Sequence, residues 1–306
     1  MSLTFKGINL GGYGGYDLTD ILLINLKWWI DWGLVHHGAY QPYLLSDDES
    51  VLKSVEDNDR RYSDGQVWEG MGREWVWESG IQVPSGAIQP FRVSGVYIDG
   101  TFYSVDTIGT YAHHIDYQNG RVIFEQPQGD TTEVKVEYTT RSVFVDEADK
   151  PAFSRLMLGA SEDFLEETEP SSTPAREFQV WLPSIFIQVD RGQQQGLQLG
   201  GGQIKRRIIN FYIFTEYPSD RNMLMDWLDF QSRTAFMLAD LNEITFPFDQ
   251  YGGLVSGATN WVDMANTYPY KKLRVMDSVL TRLDSLNSNL FRARVQYEVE
   301  IDFGGI

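Results

Sequence analysis

Cysteine is absent from this 306-residue chain, and histidine occurs only four times. Without thiols there is no disulfide, no thiolate nucleophile and no Cys-bound metal, and a disulfide-stapled secreted module is excluded. The histidines form two adjacent pairs, His36-His37 and His113-His114. A zinc hydrolase wants two histidines on one helical face. Neighbours on a strand point to opposite faces, so each pair offers one ligand to a given site. His114 and Asp116 do share a face of a strand, yet turn or surface histidines are the ordinary reading. There is no Gly-x-Ser-x-Gly elbow, and any Ser/His/Asp set must draw on one of those two pairs. The expectation is a protein that is not an enzyme and holds no cofactor and no metal.

Basic residues are also scarce: 25 Lys and Arg against 43 Asp and Glu, a net charge of −18. A nucleic-acid binder needs a basic surface to displace counterions, so specific nucleic-acid binding is not expected. The one basic cluster, Lys205-Arg206-Arg207, reads as a solvated strand edge. Long apolar runs are missing as well. The stretch from Ile21 to Ile30 is interrupted by Asn25 and Lys27 and falls short of the ~20 residues of a membrane span. The start, Met1 to Lys6, has no apolar stretch followed by a small-residue cleavage site. A soluble chain with no membrane partner is expected.

Aromatics, in contrast, are plentiful: nine Trp, sixteen Tyr and seventeen Phe. Large aromatics are enriched at protein–protein interfaces. The chain divides by pattern into four parts. Residues 1–65 hold a Gly/Tyr-rich arm (7–16), a helix and a polar loop. Asp17 or Thr19 caps that helix, Gly33 stops it, and its apolar residues cover nearly every face, as in a helix central to a core or shared between subunits. Residues 66–160 form a β-rich unit, a small sandwich or barrel, with Glu74-Trp75-Val76-Trp77-Glu78 alternating as a strand. Within it, Asp99-Gly100 and Asn119-Gly120 between β-formers are tight-hairpin signals. Residues 161–176 are an acidic Pro/Ser linker. Residues 177–306 read as an α+β domain with a mostly antiparallel sheet. Helical periodicity runs from Pro218 to Asp240, with Ser219 as cap and Met223, Leu224, Trp227, Leu228, Phe230, Ala235, Phe236 and Leu238 as its apolar face. The clearest half-buried strand has Phe291, Ala293, Val295, Tyr297, Val299 and Ile301 facing one way. The whole is a β-rich α+β chain.

Glu69, Glu74 and Glu78 among Trp68, Trp75 and Trp77 raise a carbohydrate-binding or glycan-hydrolysing module as an alternative, although alternating Glu and Trp is also the ordinary pattern of a half-buried sheet. The Gly-rich stretches lack the strand, helix and Lys-Ser/Thr ending of a phosphate loop. A Gly/Gln-rich loop over Asp190 to Gln203 is suited to touching a neighbour. The residues expected at subunit contacts are Tyr13, Tyr16, Trp28, Trp29 and Trp32 near the N-terminus, with Gln193, Gln194, Gln195 and Leu197 in that loop.

Three stretches resemble a group of tailed-bacteriophage virion structural proteins. One runs from Ile185-Phe186-Ile187 through Leu199-Gly200-Gly201-Gly202, then Ile208 to Thr215 and Ser219-Asp220-Arg221. The second runs from Val96-Tyr97-Ile98-Asp99-Gly100 through Tyr111-Ala112-His113 to Asn119-Gly120-Arg121-Val122, and the third from Asn25-Leu26-Lys27 to Asp31-Trp32-Gly33. The element order of the second half is similar to tail-terminator and head–tail joining proteins. The resemblance implies a structural subunit located in the virion and assembled in the host cytoplasm. It would be a ring-forming neck or head-to-tail connector protein. Its implied partners are copies of itself and adjacent virion proteins such as portal, connector, tail tube or sheath. A baseplate or other tail protein is the near alternative, and no catalytic residues come with the resemblance.

Overall fold

The computed structural model describes residues 16–55, 62–83, 86–129, 131–158, 181–190, 194–196, 203–283 and 289–303. Its elements begin with α1 (Leu18–His36), β1 (Tyr40–Tyr43), β2 (Lys53–Ser54), β3 (Val67–Glu69), β4 (Gly95–Ile98), β5 (Thr101–Ser104) and β6 (His113–Asp116). They continue with β7 (Arg121–Phe124), β8 (Val134–Lys135), β9 (Tyr138–Arg141), β10 (Phe144–Glu147), α2 (Pro151–Leu158) and β11 (Ser184–Asp190). The last are β12 (Gln194–Gly196), β13 (Gln203–Thr215), α3 (Pro218–Phe230), β14 (Ala235–Ala239), α4 (Trp261–Thr267), β15 (Pro269–Leu283) and β16 (Phe291–Phe303). This is a β-rich α+β fold: a helix, small antiparallel sheets, then a larger mixed sheet with helices. The acidic stretch 161–176 lies outside the described residues.

The chain forms two units. Unit 1 combines residues Met1–Ile30, Phe144–Ile244 and Val262–Ile306; unit 2 combines Asp31–Val143 with Thr245–Trp261. Neither is continuous in sequence.

Unit 1 is built on the order β10-β11-β13-β16-β15-β14, with β12 also pairing β13. Only β10 and β11 run parallel, so the sheet is mostly antiparallel. The alternation of β16 plays out as its pattern implies. Ala293, Val295, Tyr297, Val299 and Ile301 are buried, opposite Ile213, Phe211, Ile209, Arg207 and Lys205 of β13. The Tyr297 hydroxyl donates to the Leu228 carbonyl of α3, which marks this face as the one α3 covers. The opposite face is covered at one end by α2, where Ala152 and Leu156 pack on Phe186, Phe214 and Leu290.

α1 starts at Asp17, whose carboxylate accepts from the Thr19 and Asp20 amides at 2.7 and 3.0 Å. That satisfies two of the helix's otherwise orphaned donors. The helix runs through Gly33 to His36, because Trp32 and Val35 of its last turns pack against Val76 and Ile81 in unit 2. Burial outweighs the modest cost of one glycine.

Unit 2 holds three antiparallel sheets, β1-β9, β2-β3-β7-β6 and β5-β4-β8. Asp99 and Gly100 both have positive φ, 47° and 80°, and Ile98 pairs with Thr101. That is the two-residue turn the Asp-Gly signal predicts. The Asn-Gly site differs. Asp116 pairs with Arg121 across a four-residue turn, because the Asp116 carboxylate accepts from the Asn119 amide at 3.1 Å and from its side chain at 2.8 Å. Gly120 (φ 65°) sits so close to the Gly72 carbonyl and the Trp75 indole that no Cβ fits there.

Three further expectations are corrected. Trp75 to Glu78 is not an alternating strand: all four side chains are buried. The helix from Pro218 ends at Phe230, and Ala235–Ala239 pairs with β15 as a strand, so neighbouring backbone decides what local periodicity left open. Its N-cap is Tyr217, without a side-chain cap, and Pro218 sits just inside the start. Lys205-Arg206-Arg207 belongs to an interior strand rather than an edge, since β13 is flanked by β11, β12 and β16.

Candidate assembly interface

The residues expected at subunit contacts fare unevenly. Tyr13, Gln193 and Leu197 lie outside the described residues, as do the side chains of Gln194 and Gln195, whose backbone forms β12 against β13. The loop between Asp190 and Gln203 is thus partly strand. Tyr16 is half-buried, and its amide donates to Asn242 Oδ1 at 2.9 Å. Trp28 is 4% exposed, which corrects its assignment to a subunit contact: the core holds it. Trp29 stacks on Phe236 of its own chain, with centroids 4.5 Å apart, and Trp32 stacks on His36 at 6.3 Å. The aromatic helix is therefore spent largely on its own chain.

One surface that leaves apolar side chains in water lies elsewhere in unit 1; unit 2 also exposes single apolar residues such as Ile108. On α3, Leu224, Met225 and Leu228 are buried, while Met223 is 62% and Phe230 83% exposed. Met223, Trp227 and Phe230 are spaced i, i+4, i+7, a second stripe about 100° round the helix from Leu224 and Leu228. The apolar arc is wider than the sheet beneath it can cover. Tyr217, at the helix cap, and Val279 and Leu280 on β15 add further exposed apolar area. Sequence reading assigned Met223, Trp227 and Phe230 to the same face as Leu224 and Leu228. The angular width of the set was the signal that could have separated them.

Unit 2 contains a polar cleft of about 160 Å³, lined by Tyr62, Gln118, Asn119, Asp249, Gln250 and Tyr251, with the Asp116–Arg121 pair at its base. That pair is nearly buried, with Arg121 Nε to Asp116 Oδ2 at 2.9 Å. Asp249 is likewise occupied, accepting from the Tyr251 and Gly253 amides at 2.8 and 2.9 Å. The cleft has space for a handful of waters. His114 does face the same way as Asp116, and its ring stacks on Tyr251 at 4.9 Å. Both Asp116 oxygens are nevertheless engaged by Asn119 and Arg121. Among the described residues no group of three or more metal-ligating side chains converges.

Trp68, Trp75 and Trp77 are buried, so their rings face the core of unit 2 rather than a sugar. Glu78 is buried with Arg141, and Trp75 stacks on Tyr138 at 4.4 Å. No helix among the described residues is long and apolar enough to cross a membrane. Neither the known protein-family models nor the curated proteins contain a match to this sequence.

His113 is buried, with Nδ1 placed 2.8 Å from the Tyr111 carbonyl and Nε2 without a hydrogen-bond partner. Burial, with His114 nearby, pushes its pKa below the usual 6.5, although the Tyr111 hydrogen bond opposes the shift. A depressed folded-state value means the imidazole is held neutral. Its contribution to stability is present above pH 6.5 and lost as pH falls through the folded-state pKa. We expect the urea midpoint of unit 2 to drop on acidification below 6.5, and His113→Phe to flatten that slope. An unchanged slope in the variant would assign the pH dependence to another group.

Proposed function

We propose that this chain is a structural subunit of a tailed-phage virion, working by self-assembly into a ring at the neck between head and tail. The observation that carries the reading is the double apolar stripe of α3. It leaves Met223 and Phe230 outside the contact that buries Leu224 and Leu228, with Trp227 half-buried between them. A surface of that kind, rimmed by Asp220, Asp226 and Asp229, has the anatomy of an interface core with a polar rim. The sequence resemblance to virion structural proteins supplies the biological setting. The acidic balance of the chain suits a wall that does not hold DNA tightly.

Sedimentation velocity of the purified full-length chain tests the reading. A discrete oligomer is expected as concentration rises. Met223→Glu combined with Phe230→Glu should weaken it by at least about 2 kcal/mol, roughly thirtyfold in dissociation constant, with an unchanged circular dichroism spectrum. A lone monomer at high concentration overturns the proposal. Immunogold labelling of intact particles then separates a neck position from the baseplate.

A further inference from the structure

We infer that the open edge of β15, from Asp277 to Leu283, pairs antiparallel with the same edge of a second copy across a two-fold axis. The contact goes beyond the α3 stripe and uses none of its residues. β15 is 15 residues long, and β16 follows it from Leu273 to Leu283. On its other side β14 covers it only from Pro269 to Arg274, and the Val275 amide makes the last bond, to the Thr234 carbonyl at 2.9 Å. Beyond that point no described strand pairs with the outer side of β15.

The side chains fix which backbone groups face outward. In a strand, residues on one face also turn their N–H and C=O to one side. Val275 is buried opposite Val299, on the face that α3 covers, and its amide points outward to Thr234. Met276 is the extra residue of a bulge, and it switches the alternation. Ser278, Leu280 and Arg282 therefore take the α3 face: Ser278 Oγ donates to Asp229 of α3, and burial, then Arg282, lower the Arg221 pKa on the same helix. These three residues present their donors and acceptors to the open side, and such a row is matched by another extended strand. The sheet's end strands are sealed by α1. Asn25 holds both backbone groups of Ala239 on β14, and Lys27 Nζ donates to the Val145 carbonyl on β10. The open part of β15 is instead apolar and wet, with Met276 38%, Val279 53% and Leu280 37% exposed. It has neither proline nor lysine to discourage pairing.

Register names the occupant. A two-fold axis normal to the sheet sets residues of one face opposite each other. With the axis at Leu280, Leu280 meets Leu280, Val279 meets Thr281, and Ser278 meets Arg282. Each Arg282 then lies across from a Ser278 whose hydroxyl holds Asp229. Among the described residues Arg282 has no carboxylate partner of its own, and it sits by another cation, Arg221. The two-fold supplies the missing carboxylate twice. Combined with a cyclic contact through α3, it sets two rings back to back.

Hydrogen exchange and sedimentation velocity on the full-length chain test the pairing. Exchange in peptides covering 276–283 should slow by about tenfold or more as concentration drives association. Association without added protection there overturns this contact and leaves the α3 contact standing. Arg282→Glu and Asp229→Arg each set like charges together twice across the axis, and each should weaken the protecting step about thirtyfold. An equimolar mixture should restore it, because a mixed pair has opposite charges at both contacts. A misfolded variant cannot give that rescue, and two disabled variants that stay apart when mixed overturn the pairing. Leu280→Pro removes an outward-facing amide and leaves the β15–β16 ladder its bonds; protection that persists in this variant also overturns it. Met223→Glu with Phe230→Glu should keep the protection of 276–283 while losing the α3 contact. A wild-type chain that never associates overturns both readings.

Discussion

Arg141→Met is expected to cost unit 2 about 3–5 kcal/mol, the usual price of leaving a buried charge without its partner. Arg141 and Glu78 have side chains only 2% and 0% exposed. A single nitrogen, Nη2, reaches both Glu78 oxygens, at 2.7 and 2.6 Å. Nε and Nη1 of the same guanidinium are buried without hydrogen-bond partners in the protein. Burial disfavours the charged guanidinium, yet Glu78, Asp31 and Glu74 together hold its pKa above the ordinary arginine value. Removing the cation strands Glu78 in the core beside Asp31, another buried acid. Against a typical total of about 5–15 kcal/mol, that loss leaves unit 2 marginal. Urea unfolding followed by tryptophan fluorescence reads it, since Trp77 adjoins Glu78 in the chain. Glu78→Gln should cost less, because Arg141 keeps Asp31 and Glu74 nearby. A midpoint for Arg141→Met within error of the wild type would mean that water reaches the pair.

The second large effect is expected at Asn25, in the first part of α1. Its Nδ2 donates to the Ile21 carbonyl at 2.8 Å and to the Ala239 carbonyl at 3.0 Å, and its Oδ1 accepts from the Ala239 amide at 2.7 Å. One side-chain amide therefore completes both backbone groups of the last β14 residue. Asn25→Leu leaves that amide and carbonyl buried and unpaired, at about 1–3 kcal/mol each. Asn25→Asp has nearly the same shape but brings an oxygen against two carbonyl oxygens, and should be at least as damaging. Both variants should lower the thermal midpoint of unit 1. A leucine variant as stable as the parent would show that β14 finds other partners.

Parts of this architecture are visible in the residues alone because they depend on nearest neighbours. Asp99-Gly100 specifies its turn through the positive φ of two adjacent residues. Asp17 caps α1 through its own side chain. β16 alternates because one face is buried along its length. Where the deciding partner is remote, local patterning misleads. Ala235–Ala239 carries the apolar content of a helix and becomes a strand because β15 offers it a ladder. Glu78 looks like a solvated acid until Arg141, 63 positions away, is brought against it. The candidate interface was legible only in its ingredients. Aromatics were abundant, but those of α1 are drawn largely inward, and on α3 it is Met223 and Phe230 that stay exposed.

Composition and short-range pattern by themselves determined a cysteine-free, acidic, β-rich α+β chain with a capped first helix and a tight Asp-Gly hairpin. Tertiary structure alone decided that the first part of α1 joins the sheet built from the second half of the chain. It also decided that Trp68, Trp75 and Trp77 are core, and that no described strand pairs with the outer side of β15 beyond Val275. The physical reason is that turns and caps are settled within a few bonds. Burial and charge pairing belong to surfaces that exist only after distant strands have found their register.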